Sequence, residues 1–135
     1  MTNDVNANFL DVNWWGRATL DDIKAEIAKG ADVNARHNSA STPLMFAAYK
    51  NNNPAVIKIL IEHGANVNAT NKKGVTPLML ASRYNENPEI VRTLVELKAD
   101  INAKDDEGRA SLKHAVEYNE NQEIAELLKE IINKK

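Results

Sequence analysis

Cysteine is absent from the 135-residue chain. That removes a disulfide framework and any thiolate metal site, and it leaves the compartment open. A basic excess is also missing: 17 Lys and Arg stand against 19 Asp and Glu, a formal net charge of -2. A nucleic-acid-binding domain must replace counterions along a phosphate backbone and normally carries surplus positive charge, so nucleic acid is not an expected partner. No apolar run approaches the roughly 18 residues needed to cross a bilayer. The opening MTNDVNANFLDVN has no basic stretch followed by an apolar one, so no secretory signal is read there. The default expectation is a soluble cytoplasmic protein off the membrane, with export by a non-classical route left open. Glycine and proline are scarce, 5 and 4 in number, so the places where they fall are informative.

They fall periodically. The stretch NNNPAVIKILIEHGANVNA (51–69) is followed by NENPEIVRTLVELKADINA (85–103). GADVNA, GANVNA and KADINA begin at Gly30, Gly64 and Lys98, each 34 residues after the last. Thr42-Pro43-Leu44-Met45 recurs as Thr76-Pro77-Leu78-Met79 and degrades to Ala110-Ser111-Leu112-Lys113. Gly74 and Gly108 share one register, where the earlier unit has Ala40. Units over 36–69, 70–103 and 104–135 follow, after a divergent unit over 1–35.

Each unit reads as two short helices and a loop. Thr42 caps the first helix, with Pro43 at the first helical position, where its missing N–H is no loss. Leu44, Ala47 and Ala48 give a small-residue face. Asn53 and Pro54 start the second helix, and Val56, Ile57, Leu60 and Ile61 form a wide apolar stripe at helical period. Gly64 ends it in the left-handed region. One unit cannot bury its own stripe, but stacked units bury it against each other, which predicts an all-α solenoid. The end units read as caps. Glu26 falls where Leu60 falls one unit later, Lys129 replaces Ile61 and Val95, and Ile131 and Ile132 are placed to fold back onto the stack. Lys134 and Lys135 suit a helix C-terminus.

These motifs resemble the ankyrin repeat, through Gly74, Thr76-Pro77-Leu78 and Ala81 and through Gly30-Ala31-Asp32-Val33-Asn34-Ala35, over nearly the whole chain. Three departures stand out. The step is 34 residues, with NNNP or NENP between the helices, a form similar to one common among bacterial ankyrin proteins. Met45, Met79 and Lys113 stand where the family has histidine, so the hydrogen bonding it supplies is absent or replaced. Lys98 stands where Gly30 and Gly64 stand, which predicts a non-glycine residue in the left-handed region.

Chemistry finds little support in the residues. His37, His63 and His114 share no metal-ligand spacing and fall on different sides of the stack. No glycine-rich phosphate loop is present. Ser111, His114 and Asp105 assemble a triad only on paper, since a thin solenoid rarely supplies a pocket and an oxyanion site. Asp105, Asp106 and Glu107 read as solvated loop charges. A non-enzymatic module without a cofactor is expected, and a hydrolase using Ser111 and His114 is the reading from another class.

The resemblance implies partner-protein binding on the concave face, through loop tips and first helices. Carried over by register, the loop candidates are Asn38, Ser39 and Ser41; Lys72, Lys73 and Val75; and Asp106, Glu107 and Arg109. The helix candidates are Tyr49 and Lys50, Arg83 and Tyr84, and Glu117 and Tyr118. Tyrosine and arginine are enriched at binding hot spots, although the tyrosines can equally pack between helices with wet hydroxyls. A monomer is expected, with self-association through exposed aromatics or Ile131-Ile132 as the alternative. Of Trp14 and Trp15, one is expected to cover the core near Ile23 and Ile27 and the other to reach the surface near Tyr49.

Overall fold

A computed structural model describes residues 4–134; Met1–Asn3 and Lys135 lie outside the described residues. The described residues form eight helices and no strand: α1 (Val12–Arg17), α2 (Leu20–Ala28), α3 (Pro43–Lys50), α4 (Pro54–Glu62), α5 (Pro77–Tyr84), α6 (Pro88–Glu96), α7 (Ser111–Tyr118) and α8 (Gln122–Asn133). The first helices pack in one row, α1 on α3 on α5 on α7, and the second helices in another, α2 on α4 on α6 on α8. This is the expected all-helical solenoid. No helix of the described residues is long and apolar enough to cross a membrane.

Local chemistry starts α3, α4, α5 and α6 where the sequence says. Thr42 and Thr76 accept from the backbone N–H of Met45 and Met79, with Pro43 and Pro77 at the first position. Asn53 and Asn87 do the same for α4 and α6. Ala110 supplies no side-chain cap to α7. The second helices end in one motif repeated three times. Gly30, Gly64 and Lys98 have φ of 100°, 97° and 80°. The next residues, Ala31, Ala65 and Ala99, donate back to Glu26, Leu60 and Leu94 over 2.9–3.0 Å. Lys98 therefore occupies the left-handed region, as its register predicts. Ala40 does too, at φ 65°, where the later units have glycine.

The Asn-x-Asn-Pro motif has two parts. Its second asparagine is the helix cap. Its first is buried and joins neighbouring units. Asn85 donates through Nδ2 to the carbonyls of Ala48 (3.0 Å) and Asn51 (2.8 Å), and its Oδ1 accepts the N–H of Asn87 (2.9 Å). Asn51 donates to Trp15 and Ala18, and Asn119 to Ser82 and Asn85. Each first asparagine thus caps the C-terminal carbonyls of the first helix one unit earlier, which have no partner within their own helix. A second series links the far edge. Asn34 donates to the Gly64 carbonyl and accepts the Asn66 N–H, while Asn68 repeats both bonds with Lys98 and Asp100.

The core runs the length of the stack. Ile23, Leu44, Ile57, Leu60, Leu78, Ile90, Leu94 and Ile124 are essentially inaccessible. Met45 and Met79 are fully buried, so apolar packing replaces the family's histidine in the two inner units. Ile131 and Ile132 pack against the core as half-buried residues, and Lys134 caps α8. The tryptophan expectation is corrected: both are buried, Trp14 at 8% and Trp15 at 0% exposure. The turns before α1 bring Phe9 over them, with ring centroids 5.8 and 5.2 Å away, and Trp15 Nε1 donates to the Phe9 carbonyl at 2.9 Å. The segment before α1 thus packs against both indoles.

Candidate functional site

The loops between units are short fingers. Each closes on itself through two backbone bonds: the N–H groups of His37, Asn71 and Asp105 donate to the carbonyls of Ser41, Val75 and Arg109, and those of Ala40, Gly74 and Gly108 donate back to the carbonyls of His37, Asn71 and Asp105. Consecutive fingers are tied by Lys72 N–H to the Ser39 carbonyl and Asp106 N–H to the Lys73 carbonyl. In the second finger the Asn71 Oδ1 accepts the N–H groups of Lys73 and Val75. Asp105, 34 residues later, accepts those of Glu107 and Arg109, both at 2.9 Å. The reading of Asp105 as a solvated charge is therefore corrected: it is the buried organiser of its finger, at 7% exposure. Asp106 and Glu107 are exposed.

Two side-chain donors, one of them a cation, meet the Asp105 carboxylate. Arg109 Nε and His114 Nε2 each lie 3.0 Å from Oδ2. Burial alone pushes the Asp105 carboxyl up. The N–H groups of Arg109 and Glu107, then the Arg109 guanidinium, outweigh it and hold the pKa below the usual value. Burial lowers the His114 pKa. Asp105 opposes this, while Arg109 and Arg83 reinforce it. A neutral imidazole facing an acceptor-only carboxylate must carry its proton on Nε2, which leaves Nδ1 as a buried acceptor without a partner. Ser111 Oγ is likewise buried and unpartnered. The His–Asp half of the paper triad thus exists, but the Ser–His bond does not, and both Ser111 and His114 are 1% exposed. Among the described residues no group of acids and histidines is arranged to hold a metal ion.

Beside the fingers, the C-terminal turns of the first helices carry a ladder of rings and cations. Lys50 Nζ sits 4.8 Å from the Tyr49 ring. The Tyr49 and Tyr84 rings meet edge-on, 4.8 Å apart. The Arg83 guanidinium lies 5.2 Å from the Tyr84 ring and 3.7 Å from that of Tyr118. Tyr49 to Tyr84 and Arg83 to Tyr118 are the same diagonal, one unit apart. Tyr84 and Tyr118 remain 46% and 45% exposed. Between the second and third fingers and this ladder opens a groove of about 520 Å³, whose lining includes Asn71, Lys73, Arg83, Asp106, Arg109 and His114.

The remaining candidates fall around it. Val75 is half-buried on the groove wall. Asn38, Ser39 and Lys72 are exposed on the fingers, outside the groove lining. Glu117 is exposed and pairs with Lys113 at 3.4 Å. Ser41 is buried at 8%, its hydroxyl 2.8 Å from that of Ser39; a residue placed there by register as a contact is enclosed by its own finger. Asp105 and His114 line the groove without having been read as part of it. The register signal was available for Asp105, which sits where Asn71 sits one unit before.

Residues 17–105 match the family model of ankyrin repeats, in three copies. The chain belongs to the ankyrin-repeat family. No curated protein matches the sequence. Ankyrin repeats generally act as protein–protein interaction modules and are typically non-enzymatic.

Proposed function

We propose that this chain is a monomeric, non-enzymatic module that binds a partner protein on its concave face, across the fingers and the exposed turns of the first helices. The observation that carries the reading is the continuous ladder Lys50–Tyr49–Tyr84–Arg83–Tyr118. Rings and guanidinium support one another there, so little side-chain freedom remains to be lost when a partner docks. Large amphipathic side chains held in place and half exposed are what binding hot spots are made of. The units 1–35, 36–69, 70–103 and 104–135 supply the scaffold, the first and last serving as caps.

The test is a paired pull-down from source-cell lysate, read by mass spectrometry. One bait is wild type. The other carries Tyr49→Ala, Arg83→Ala and Tyr84→Ala and is first checked by circular dichroism to be folded. A protein captured by wild type and lost by the triple variant is expected. Equal capture by both baits moves the site off this face. A second copy of this chain as the only capture supports self-association instead.

A further inference from the structure

Arg83 is built into the strip, yet nothing in the strip engages its donors. Its Nε is fully buried and has no hydrogen-bond partner. No described carboxylate forms an ion pair with it. Two tyrosine rings fix the plane of its guanidinium, the nearer at 3.7 Å from the centroid. A guanidinium presents five N–H donors in a rigid fork and no acceptor. Here that fork is oriented and partly dehydrated but unmatched. The other arginine of the groove is the contrast: Arg109 is engaged by Asp105 at 3.0 Å and Glu107 at 3.5 Å. Lys73, also on the groove wall, has no ion pair among the described residues.

We propose that Arg83 anchors a carboxylate of the docked partner, an Asp or Glu side chain of a linear segment lying in the groove, with Lys73 as its second cation. The inference rests on the concave-face reading and names the chemistry that reading requires. A planar carboxylate matches the two terminal Nη groups of the fork with two parallel hydrogen bonds in the guanidinium plane, while stacking on Tyr118 uses the face. A phosphate dianion fits less well, because Asp106 and Glu107 border the same groove and repel the second charge. The same two acids define the rest of the segment: a Lys or Arg a few residues from the anchoring acid faces the tip of the third finger.

Random linear peptides displayed on phage, selected on wild type, test this. Peptides from that selection are expected to share an Asp or Glu. Their synthetic forms should bind Arg83→Gln at least tenfold more weakly, with Arg83→Lys recovering part of the loss. Replacing the shared acid by its amide should weaken binding to wild type by a similar factor and leave binding to Arg83→Gln unchanged. The peptide-side replacement keeps the test valid should Arg83→Gln fold poorly. Binders without an acid, or binders indifferent to Arg83→Gln, overturn the inference. If such binders still lose affinity on Tyr49→Ala, the concave-face reading survives and the Arg83 anchor alone falls; if they are indifferent to both, both fall. A selection that yields no binder overturns the linear acidic segment as occupant.

Discussion

Replacing Asn85 should damage this stack more than replacing any surface residue, and replacing it with the isosteric aspartate should be the worst choice. The residue is 6% exposed, and both of its amide N–H donors and its amide oxygen are engaged. Nδ2 donates to two carbonyls at the end of α3, and Oδ1 accepts the N–H that opens the next turn. Asn85→Ala leaves two buried acceptors and one donor without this partner. Each unmatched buried group costs about 1–3 kcal/mol, and some are reached by water after relaxation, so a total of about 3 kcal/mol is expected. For a chain of this size that lowers the melting temperature by roughly 10 °C. Asn85→Asp preserves shape but sets an anion against two carbonyl oxygens at the negative end of a helix dipole. Its folded pKa is then raised above the unfolded value. The penalty is largest at neutral pH and shrinks as pH falls through the raised pKa, because the protonated acid can donate one bond. Thermal unfolding by circular dichroism at pH 7 and pH 4.5 reads both effects. Asn85→Asp should melt below Asn85→Ala at pH 7 and approach or pass it at pH 4.5. An Asn85→Asp chain as stable as wild type at pH 7 refutes the capping role of the first asparagine.

Other perturbations follow from the same geometry. Lys98→Gly and Ala40→Gly each relieve a side chain from the left-handed region and should stabilise the fold by about 0.5–1 kcal/mol; a lowered melting temperature for Lys98→Gly contradicts the assigned helix end. Gly74→Ala should cost about 1–3 kcal/mol, because φ is 75° and a Cβ there meets Asp106 Oδ1 at 2.6 Å and Asp106 N at 3.1 Å. Gly108→Ala, with similar φ but open space, should cost less, and equal melting temperatures for the two count against finger-on-finger packing. His114 has a lowered folded pKa, so the unfolded chain binds the proton first. Stability should be complete above about pH 6.5 and decline as pH falls through the interval below it, an interval visible as a depressed His114 titration by NMR. Asp105 adds a second loss of the same sign below its ordinary pKa of 3.8.

The framework was legible because its signals are local and repeated. Thr42, Pro43, Asn53, Pro54 and Gly64 act within one turn of themselves, and the 34-residue step shows them again. The first asparagine of each motif was not legible in the same way. Its partners lie 33–37 residues earlier, as in Asn51 to Ala18 and Asn85 to Ala48, and they are backbone carbonyls with no sequence identity to read. Trp14 and Trp15 were misjudged for a related reason. Helix geometry separates adjacent side chains onto different faces, but the Phe9 segment covers the face that would otherwise be wet. Asp105 and Ser41 show that a loop need not be solvent: fingers closed and cross-linked by backbone bonds bury small polar groups at their base. The ladder was half legible. Register placed Tyr49, Arg83, Tyr84 and Tyr118 on one strip, while their diagonal stacking and the unused donors of Arg83 depend on the offset between neighbouring units.

The proposed docking face is the strip carrying this ladder. A photo-crosslinking amino acid placed at Tyr84, on the strip, and in a second chain at Lys58, exposed on α4, tests it in source cells. A crosslinked partner is expected from position 84 and none from position 58. A partner crosslinked from position 58 and absent from position 84 contradicts it.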